Sequence, residues 1–257
     1  MTPTPHIHMW SPHPGNVLIV TFVMLCGCAY LGAYLHRRFS HLWTQGHEDL
    51  GTVLTATLTL LGLIIGFTFS MSTSRYDLRK SYEEGEANAI GTEYLRVEVL
   101  GAEQAAQLKA MLRSYTALRL RFFSDSERGQ REALATETLQ LQARMWNATR
   151  AAVTAAPTPV TALALAGMND VLNSQSYTQA AWWNRIPGEA WALMALIAVF
   201  CNLMLGYITH RPRPLQLGIL PLVVAIAFFL IADIDSPRSG VIHVAPQNLL
   251  ALFASLQ

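Results

Sequence analysis

The stretch LGTVLTATLTLLGLIIGFTFSM, residues 50–71, decides the fold of this chain. It contains no charged residue, and the first charge after it is Arg75. About 20 apolar residues in an α-helix cross the hydrocarbon core of a bilayer, because a helix satisfies its own backbone hydrogen bonds. We therefore predict that residues 50–71 form a membrane-spanning helix.

Three further stretches have the length and composition of membrane spans. The first is followed by His36-Arg37-Arg38 and has no Lys or Arg before it, so it differs from a cleavable signal peptide and is interpreted as a retained span. Trp182-Trp183 precede the third, as in an aromatic interface belt. The three stretches are residues 17–35, about 190–208 and about 215–232.

Composition predicts that the rest of the chain is polar and helical. Of the 257 residues, 52% are hydrophobic and 14% are charged, against about 25% charged in an ordinary soluble domain. Most charges lie between the second and third predicted spans, where leucine and aromatic residues recur at helical spacing. We predict an all-α membrane protein with four transmembrane helices and a helical extramembrane bundle, divided into residues 1–73, 74–187, 188–235 and 236–257.

Charge and motifs narrow the classes of function. The formal net charge is +1 and no basic run is present, which argues against a nucleic-acid ligand. No phosphate-binding loop and no nucleophile or metalloprotease motif appears, so no enzyme activity, cofactor or metal site is predicted. Glu83, Glu84 and Glu86 are interpreted as acids on one solvated helix face.

Membrane orientation follows from the short loops. The positive-inside rule counts Lys and Arg there, and the N-terminal tail has none. On this count both short loops are cytoplasmic, and the helical domain lies outside the plasma membrane, in the periplasm of a Gram-negative source. The counted residues are Arg37, Arg38, Arg211 and Arg213.

The second span carries a stripe of small and polar residues along one helix face. Its members recur every three or four positions: Thr55, Thr59, Gly62, Gly66, Ser70, Thr73 and Asp77. One interpretation is close helix packing through the G-x-x-x-G pair Gly62 and Gly66. The other is a face that lines a water-filled path in an oligomer. Periodicity alone leaves both open.

Three motifs resemble a known family. Residues 65–76 read IGFTFSMSTSRY, residues 86–91 read EANAIG, and residues 233–244 read DIDSPRSGVIHV. With the four-span layout, they make residues 51–250 resemble the bacterial bestrophin-like membrane proteins of unknown function. The first motif also resembles the second transmembrane helix of bestrophins.

The resemblance to bestrophins implies an oligomeric channel, a pentamer, that passes small anions. The positions matching the bestrophin neck are Thr59, Leu63 and Phe67, and with Ser70 they are the predicted pore-lining residues. Thr59 departs from the aliphatic residue of bestrophins, which loosens a dewetting gate. No acidic cluster matches the bestrophin calcium clasp, so no calcium site is expected.

Charged residues lie at the ends of two spans on the same predicted membrane side. Arg75 and Asp77 follow the second span, and Asp233 and Asp235 end the fourth. We predict that Arg75 pairs with Asp233 or Asp235. Solvated charges that anchor the spans at the interface are the alternative.

Two hypotheses for function follow. The first is an oligomeric membrane protein that conducts small anions along an axis lined by the second span. The second is a non-conducting scaffold or stress sensor that acts through its helical domain. Residues 241–257 are predicted to include a short amphipathic helix on the membrane surface.

Overall fold

The structure is a computed structural model and describes residues 14–39, 47–124, 128–209, 213–238 and 240–256. These residues form α-helices without a strand, so the predicted all-α class is confirmed. A short 3-10 helix, Val97–Val99, separates the second and third helices. The helices are α1 (Pro14–Phe39), α2 (His47–Arg96), α3 (Ala102–Ser124), α4 (Arg128–Ala155), α5 (Pro159–Trp183), α6 (Gly188–Ile208), α7 (Pro214–Asp235) and α8 (Gln247–Ser255).

The chain divides into two compact units. The membrane unit comprises Met1–Ser74 and Arg185–His243, and the helical unit comprises Arg75–Asn184 and Val244–Gln257. Four described stretches are long and apolar enough to cross a membrane, in agreement with the four predicted spans. They lie within Pro14–Arg38, Asp49–Val99, Pro159–Ile208 and Pro214–Asp235.

Small residues allow α1 and α6 to pack closely in the membrane unit. A Cβ on Gly32 would lie 2.9 Å from the backbone nitrogen of Tyr207, and a Cβ on Gly206 would lie 2.8 Å from the carbonyl carbon of Ala29. Neither position has room for a side chain, because the neighbouring atoms belong to backbone. Gly32 and Gly206 therefore set the spacing of these two helices.

The core of the helical unit follows the predicted helical periodicity. Leu108, Leu112 and Tyr115 of α3 are buried, and they pack with Met145 of α4 and Met168 of α5. The helix α5 begins with a capping box, in which Thr158 and Thr161 satisfy each other's backbone N–H groups. The spacing of apolar residues thus brings three helices around one core.

The C-terminal helix α8 is part of the helical unit. Leu249 is fully buried in the core of that unit, together with Ile90 and Leu108. Residues 236–257 were predicted to be a separate membrane-surface segment, and the structure differs because Leu249 anchors α8 to the helical core. Leu250 on α8 is exposed.

Candidate functional site

The predicted pore-lining residues lie on an exposed face of α2. Thr59 and Ser70 are exposed, and the exposed fractions of Leu63 and Phe67 are 53% and 65%. These residues are three or four positions apart, so they share one side of the helix. Apolar residues exposed on this scale need a cover, which is lipid or a second protein surface.

The opposite side of α2 packs into the core of the membrane unit. Leu54, Leu61 and Thr68 are seven residues apart, and all three are buried. Leu54 and Leu61 join a cluster that includes Met194 of α6 and Phe228 of α7. This packing fixes the rotation of α2 within the unit and leaves the predicted pore face outward.

The threonine hydroxyls on α2 donate to the helix backbone. Thr55 and Thr59 each bond the carbonyl oxygen four residues earlier at 2.9 Å, and Thr73 bonds that of Phe69 at 3.1 Å. Such bonds satisfy the hydroxyl proton within an apolar environment. The threonine oxygens keep their remaining acceptor capacity on the exposed face.

The glycines of the stripe contact no other part of the described chain. A Cβ placed on Gly62 or Gly66 would have nothing within 4 Å outside its own helix. The predicted packing role of these glycines therefore has no partner among the described residues, and packing against another copy stays a prediction. The close intramolecular contacts are instead at Gly32 and Gly206, which could not be predicted from the sequence because they form no G-x-x-x-G pair.

The acidic residues at the end of α7 bind backbone N–H groups. The two carboxylate oxygens of Asp233 accept hydrogen bonds from the N–H groups of Val241 and Ile242, both at 2.8 Å. The carboxylate of Asp235 accepts the N–H of Ile186 at 3.2 and 3.3 Å. Both aspartates are buried, and they hold the segments that follow α7 and precede α6.

The other two predicted ion-pair residues belong to the helical unit. Arg75 is half-buried and Asp77 is exposed. The predicted pairing of Arg75 with Asp233 or Asp235 would join the two units, and it stays a prediction.

Two of the acids predicted to be solvated are buried. Glu83 is 1% exposed and Glu86 is fully buried, whereas Glu84 is exposed as predicted. The prediction was wrong for Glu83 and Glu86 because each carboxylate has partners on another helix. Glu86 forms an ion pair with Arg119 of α3 and accepts a hydrogen bond from the hydroxyl of Thr178 at 2.8 Å.

The guanidinium group of Arg79 binds the end of α5. Its Nε donates to the carbonyl of Ala181 and its Nη2 to that of Asn184, both at 3.2 Å. The last carbonyls of a helix lack partners within the helix and carry partial negative charge. Arg79 is fully buried and therefore holds the C-terminal end of α5 against α2.

The helix α8 is held by charged groups at both ends. The carboxylate of Glu83 accepts a hydrogen bond from Asn248 at 2.7 Å and one from the N–H of Leu249 at 2.9 Å. Arg113 donates to the carbonyl of Leu256 at the other end. An acid at the N-terminus and a base at the C-terminus both complement the helix dipole.

Burial and charge shift two pKa values around this network. Burial raises the pKa of Tyr115 far above its usual range, and the Glu86 carboxylate adds to that shift. Burial alone would lower the pKa of Arg119, but the adjacent Glu86 carboxylate raises it overall. The tyrosine therefore stays protonated and the arginine stays charged, so neither group changes its charge near neutral pH.

The described residues include an open cavity but no cluster of metal-ligating side chains. No group of three or more His, Cys, Asp or Glu side chains among them is placed to hold a metal ion. An open cavity of about 330 Å³ lies between α2 and α5 in the helical unit. Tyr82 and Tyr177 stack at its wall with ring centroids 5.9 Å apart, and Asp170 lines it.

The sequence matches a family profile along almost its whole length. The Bestrophin-like domain profile matches residues 16–249. The chain belongs to the Bestrophin-like domain family. The family resemblance predicted from the three motifs is therefore confirmed.

Solved bestrophin structures share the fold of this bestrophin-like chain. A bacterial bestrophin homologue from Klebsiella pneumoniae with a tryptophan-to-alanine substitution aligns with a TM-score of 0.70 at 12% identity, covering 95% of this chain and 100% of that one. Two more variants of that homologue, with isoleucine-to-threonine and tyrosine-to-alanine substitutions, align with TM-scores of 0.66 at 12% identity, covering 92% and 99%. No curated protein matches the sequence.

Two further buried residues of this bestrophin-like chain, Arg79 and Glu93, were not predicted from the sequence, and a third, Glu86, was predicted to be solvated. Arg79, Glu86 and Glu93 are seven residues apart on α2, and all three are fully buried. The signal in the sequence is this spacing, since residues seven apart share a helix face. The apolar residues Ile90 and Val97 lie near the same face. It was overlooked because charges are rarely found inside a helical core.

Proposed function

We propose that this protein is an oligomeric channel for small anions, in which α2 of each copy lines the pore. The observation that carries the proposal is the outward face of α2 with Thr59, Leu63, Phe67 and Ser70. Membership of the Bestrophin-like family and the shared fold support a channel. The choice of anions rests on the resemblance to bestrophins.

Polarity favours another copy of the chain over lipid as the cover of this face. Thr55, Thr59 and Ser70 are exposed on it, and their hydroxyl oxygens can accept hydrogen bonds from water but not from lipid chains. Gly62 and Gly66 on the same side let neighbouring helices approach closely. A ring of α2 helices satisfies both features, because hydroxyl groups then face water and glycines face the next copy.

The two apolar side chains of the face form the proposed constriction. Leu63 and Phe67 lie between Thr59 and Ser70 along the helix, so a ring of copies presents an apolar band flanked by hydroxyl groups. A narrow apolar band gates ion flow by losing its water. Leu63 and Phe67 are thus the proposed gate residues.

Anion flux into liposomes tests the proposal. We expect chloride flux with the purified full-length protein, and faster flux with Phe67→Ala, because the smaller side chain widens the apolar band. Leu196→Ala is the matched control: Leu196 is also exposed, at 67%, but it lies on α6 and not on α2. Its flux should equal that of the unmodified protein.

Absence of flux would remove the channel proposal. If neither the unmodified protein nor Phe67→Ala carries chloride over a range of pH and voltage, the non-conducting scaffold becomes the better hypothesis. Equal acceleration by Phe67→Ala and Leu196→Ala would contradict the assignment of the pore face.

The number of copies is a separate proposal. The resemblance implies a pentamer, and native mass spectrometry of the protein in detergent measures the number directly. A monomer under conditions that preserve folding would contradict a pore built from several α2 helices.

Orientation is also proposed from charge. The positive-inside count favours a periplasmic helical unit, and Val244–Gln257 belongs to the same unit. Alkaline phosphatase fused to the C-terminus should therefore be active, and green fluorescent protein fused there should be dark. The reverse pattern would place the helical unit in the cytoplasm.

A further inference from the structure

Glu93 is a buried carboxyl group without a hydrogen-bond partner among the described residues. Its side chain is fully buried, and neither carboxylate oxygen finds a donor there. It fills the space beside Gly167 of α5, where a Cβ would collide with its Oε2 atom. A bare carboxylate in such a place is costly, so the residue needs either a proton or a cation.

Glu93 lies outside the apolar stretch that crosses the membrane. It follows the end of residues 50–71 by more than 20 positions, which is about 33 Å along a helix. It belongs to the helical unit, where it lies against Gly167 of α5 and where the charge of Asp170, on the same helix, acts on it. Protons from water can therefore reach this part of the chain without crossing lipid.

Two charged groups act on Glu93. Arg96 is three residues further along α2, and its Nη1 atom lies 3.7 Å from Oδ2 of Asp170. A Cβ on Gly167 would also lie 2.8 Å from Nη1 of Arg96, so the guanidinium and the Glu93 carboxyl border the same gap. A small movement of the Arg96 side chain would exchange Asp170 for Glu93 as its partner.

Burial raises the pKa of Glu93 from about 4.5 to about 8. The positive charge of Arg96 opposes this shift, and the negative charge of Asp170 adds to it. Glu93 is consequently protonated at neutral pH and ionises at mildly alkaline pH.

We propose that Glu93, Arg96 and Asp170 form a pH-sensitive switch between α2 and α5 in the helical unit. With Glu93 protonated, Arg96 pairs with Asp170 at the surface. When Glu93 loses its proton to water, its buried negative charge draws Arg96 over Gly167 and away from Asp170. The switch is independent of whether the chain conducts ions.

The sign of the stability change follows from proton binding. Between about pH 4.5 and 8 the folded chain holds a proton on Glu93 that the unfolded chain has lost. Stability contributed by this group therefore falls as pH rises through that range and levels off above it.

Thermal unfolding of the full-length protein in detergent, measured from pH 5 to 9, tests the switch. Glu93→Gln mimics the protonated form, so the fall of the unfolding temperature with pH should be smaller than in the unmodified protein. Glu103→Gln is the matched control, because Glu103 is exposed and its loss should leave the pH profile unchanged. Identical profiles for Glu93→Gln and the unmodified protein would overturn the proposal.

A second variant keeps the test decisive if Glu93→Gln does not fold. Asp170→Asn removes the competitor for Arg96 and a negative charge near Glu93, while Asp170 is 63% exposed and dispensable for packing. The alkaline transition should move to lower pH, because ionised Glu93 can then pair with Arg96 without breaking an ion pair between Arg96 and Asp170. A transition that stays in place, or moves to higher pH, would overturn the proposed exchange.

Discussion

Arg119 and Glu86 form a two-point ion pair inside the helical unit. The Nη2 atom of Arg119 lies 3.2 Å from Oε2 of Glu86, and the Nε atom of the same guanidinium binds Oε1. The two side chains are 2% and 0% exposed. This pair joins α2 to α3, and Thr178 joins it to α5 through the same carboxylate.

Replacing Arg119 with alanine should destabilise the helical unit strongly. Removing one partner of a buried pair leaves an uncompensated charge, which costs about 3–5 kcal/mol. Arg121→Ala is the control, because Arg121 pairs with Glu137 at 3.7 Å and both are about half exposed. The control should change stability by about 0–1 kcal/mol. Denaturant unfolding in detergent measures both, and equal effects would contradict a special role for the buried pair.

Gly206→Ala should lower the stability of the fold, whereas Gly62→Ala should affect only the assembly of the oligomer. The first substitution places a methyl group against the backbone of Ala29, so α1 and α6 must move apart and the unfolding temperature should drop. The second meets nothing within 4 Å in the chain, so the monomer fold should tolerate it. If α2 packs against another copy, Gly62→Ala should instead weaken the oligomer.

Both variants are compared by thermal unfolding and by native mass spectrometry. A loss of the folded monomer with Gly62→Ala would show that Gly62 has an intramolecular role. An unchanged unfolding temperature with Gly206→Ala would contradict the close approach of α1 and α6.

Glu83→Ala should release α8 from the helical unit. The substitution leaves the buried N–H group of Leu249 without an acceptor, which lowers the free energy of unfolding by about 1–3 kcal/mol. Protease cleavage within residues 244–256 should become faster. Glu84→Ala is the control, because Glu84 is adjacent and exposed, and this variant should be cleaved at the rate of the unmodified protein. Equal protection in both variants would show that the burial of Leu249 and the Arg113 hydrogen bond hold α8 without Glu83.

Helices and core could be predicted from the sequence because they depend on local spacing. Leu108, Leu112 and Tyr115 repeat at helical intervals, and such residues must be buried wherever α3 lies. The stripe of small and polar residues on α2 could be predicted for the same reason, whereas Leu63 and Phe67 were chosen from the resemblance to bestrophins. The polar stripe and the apolar side of α2 are both set by residues within one helix.

Buried carboxylates could not be predicted because their partners are distant in sequence. Glu86 is buried with Arg119, 33 residues away, and Glu83 with Asn248, 165 residues away. No local pattern distinguishes these acids from the exposed Glu84. The docking of α8 depends on the same long-range bonds, which explains why the segment was assigned to the membrane surface.

Gly240→Ala should disrupt the segment that follows α7. A Cβ at this position would lie 2.5 Å from Oδ1 and 2.9 Å from Cγ of Asp233, so the carboxylate would have to move. That movement would break the hydrogen bonds from Val241 and Ile242, and the loss of donors to the buried Asp233 carboxylate costs about 1–3 kcal/mol. We therefore expect a lower unfolding temperature.

Gly218→Ala on α7 is the matched control for Gly240→Ala. A Cβ there has nothing within 4 Å, and alanine favours a helix over glycine by about 1 kcal/mol. Its unfolding temperature should be equal or higher. Asp233→Ala should resemble Gly240→Ala if the carboxylate is what organises the segment, since both remove the same two hydrogen bonds. A clear loss with Asp233→Ala but none with Gly240→Ala would mean that the loop can accommodate the methyl group without displacing the carboxylate.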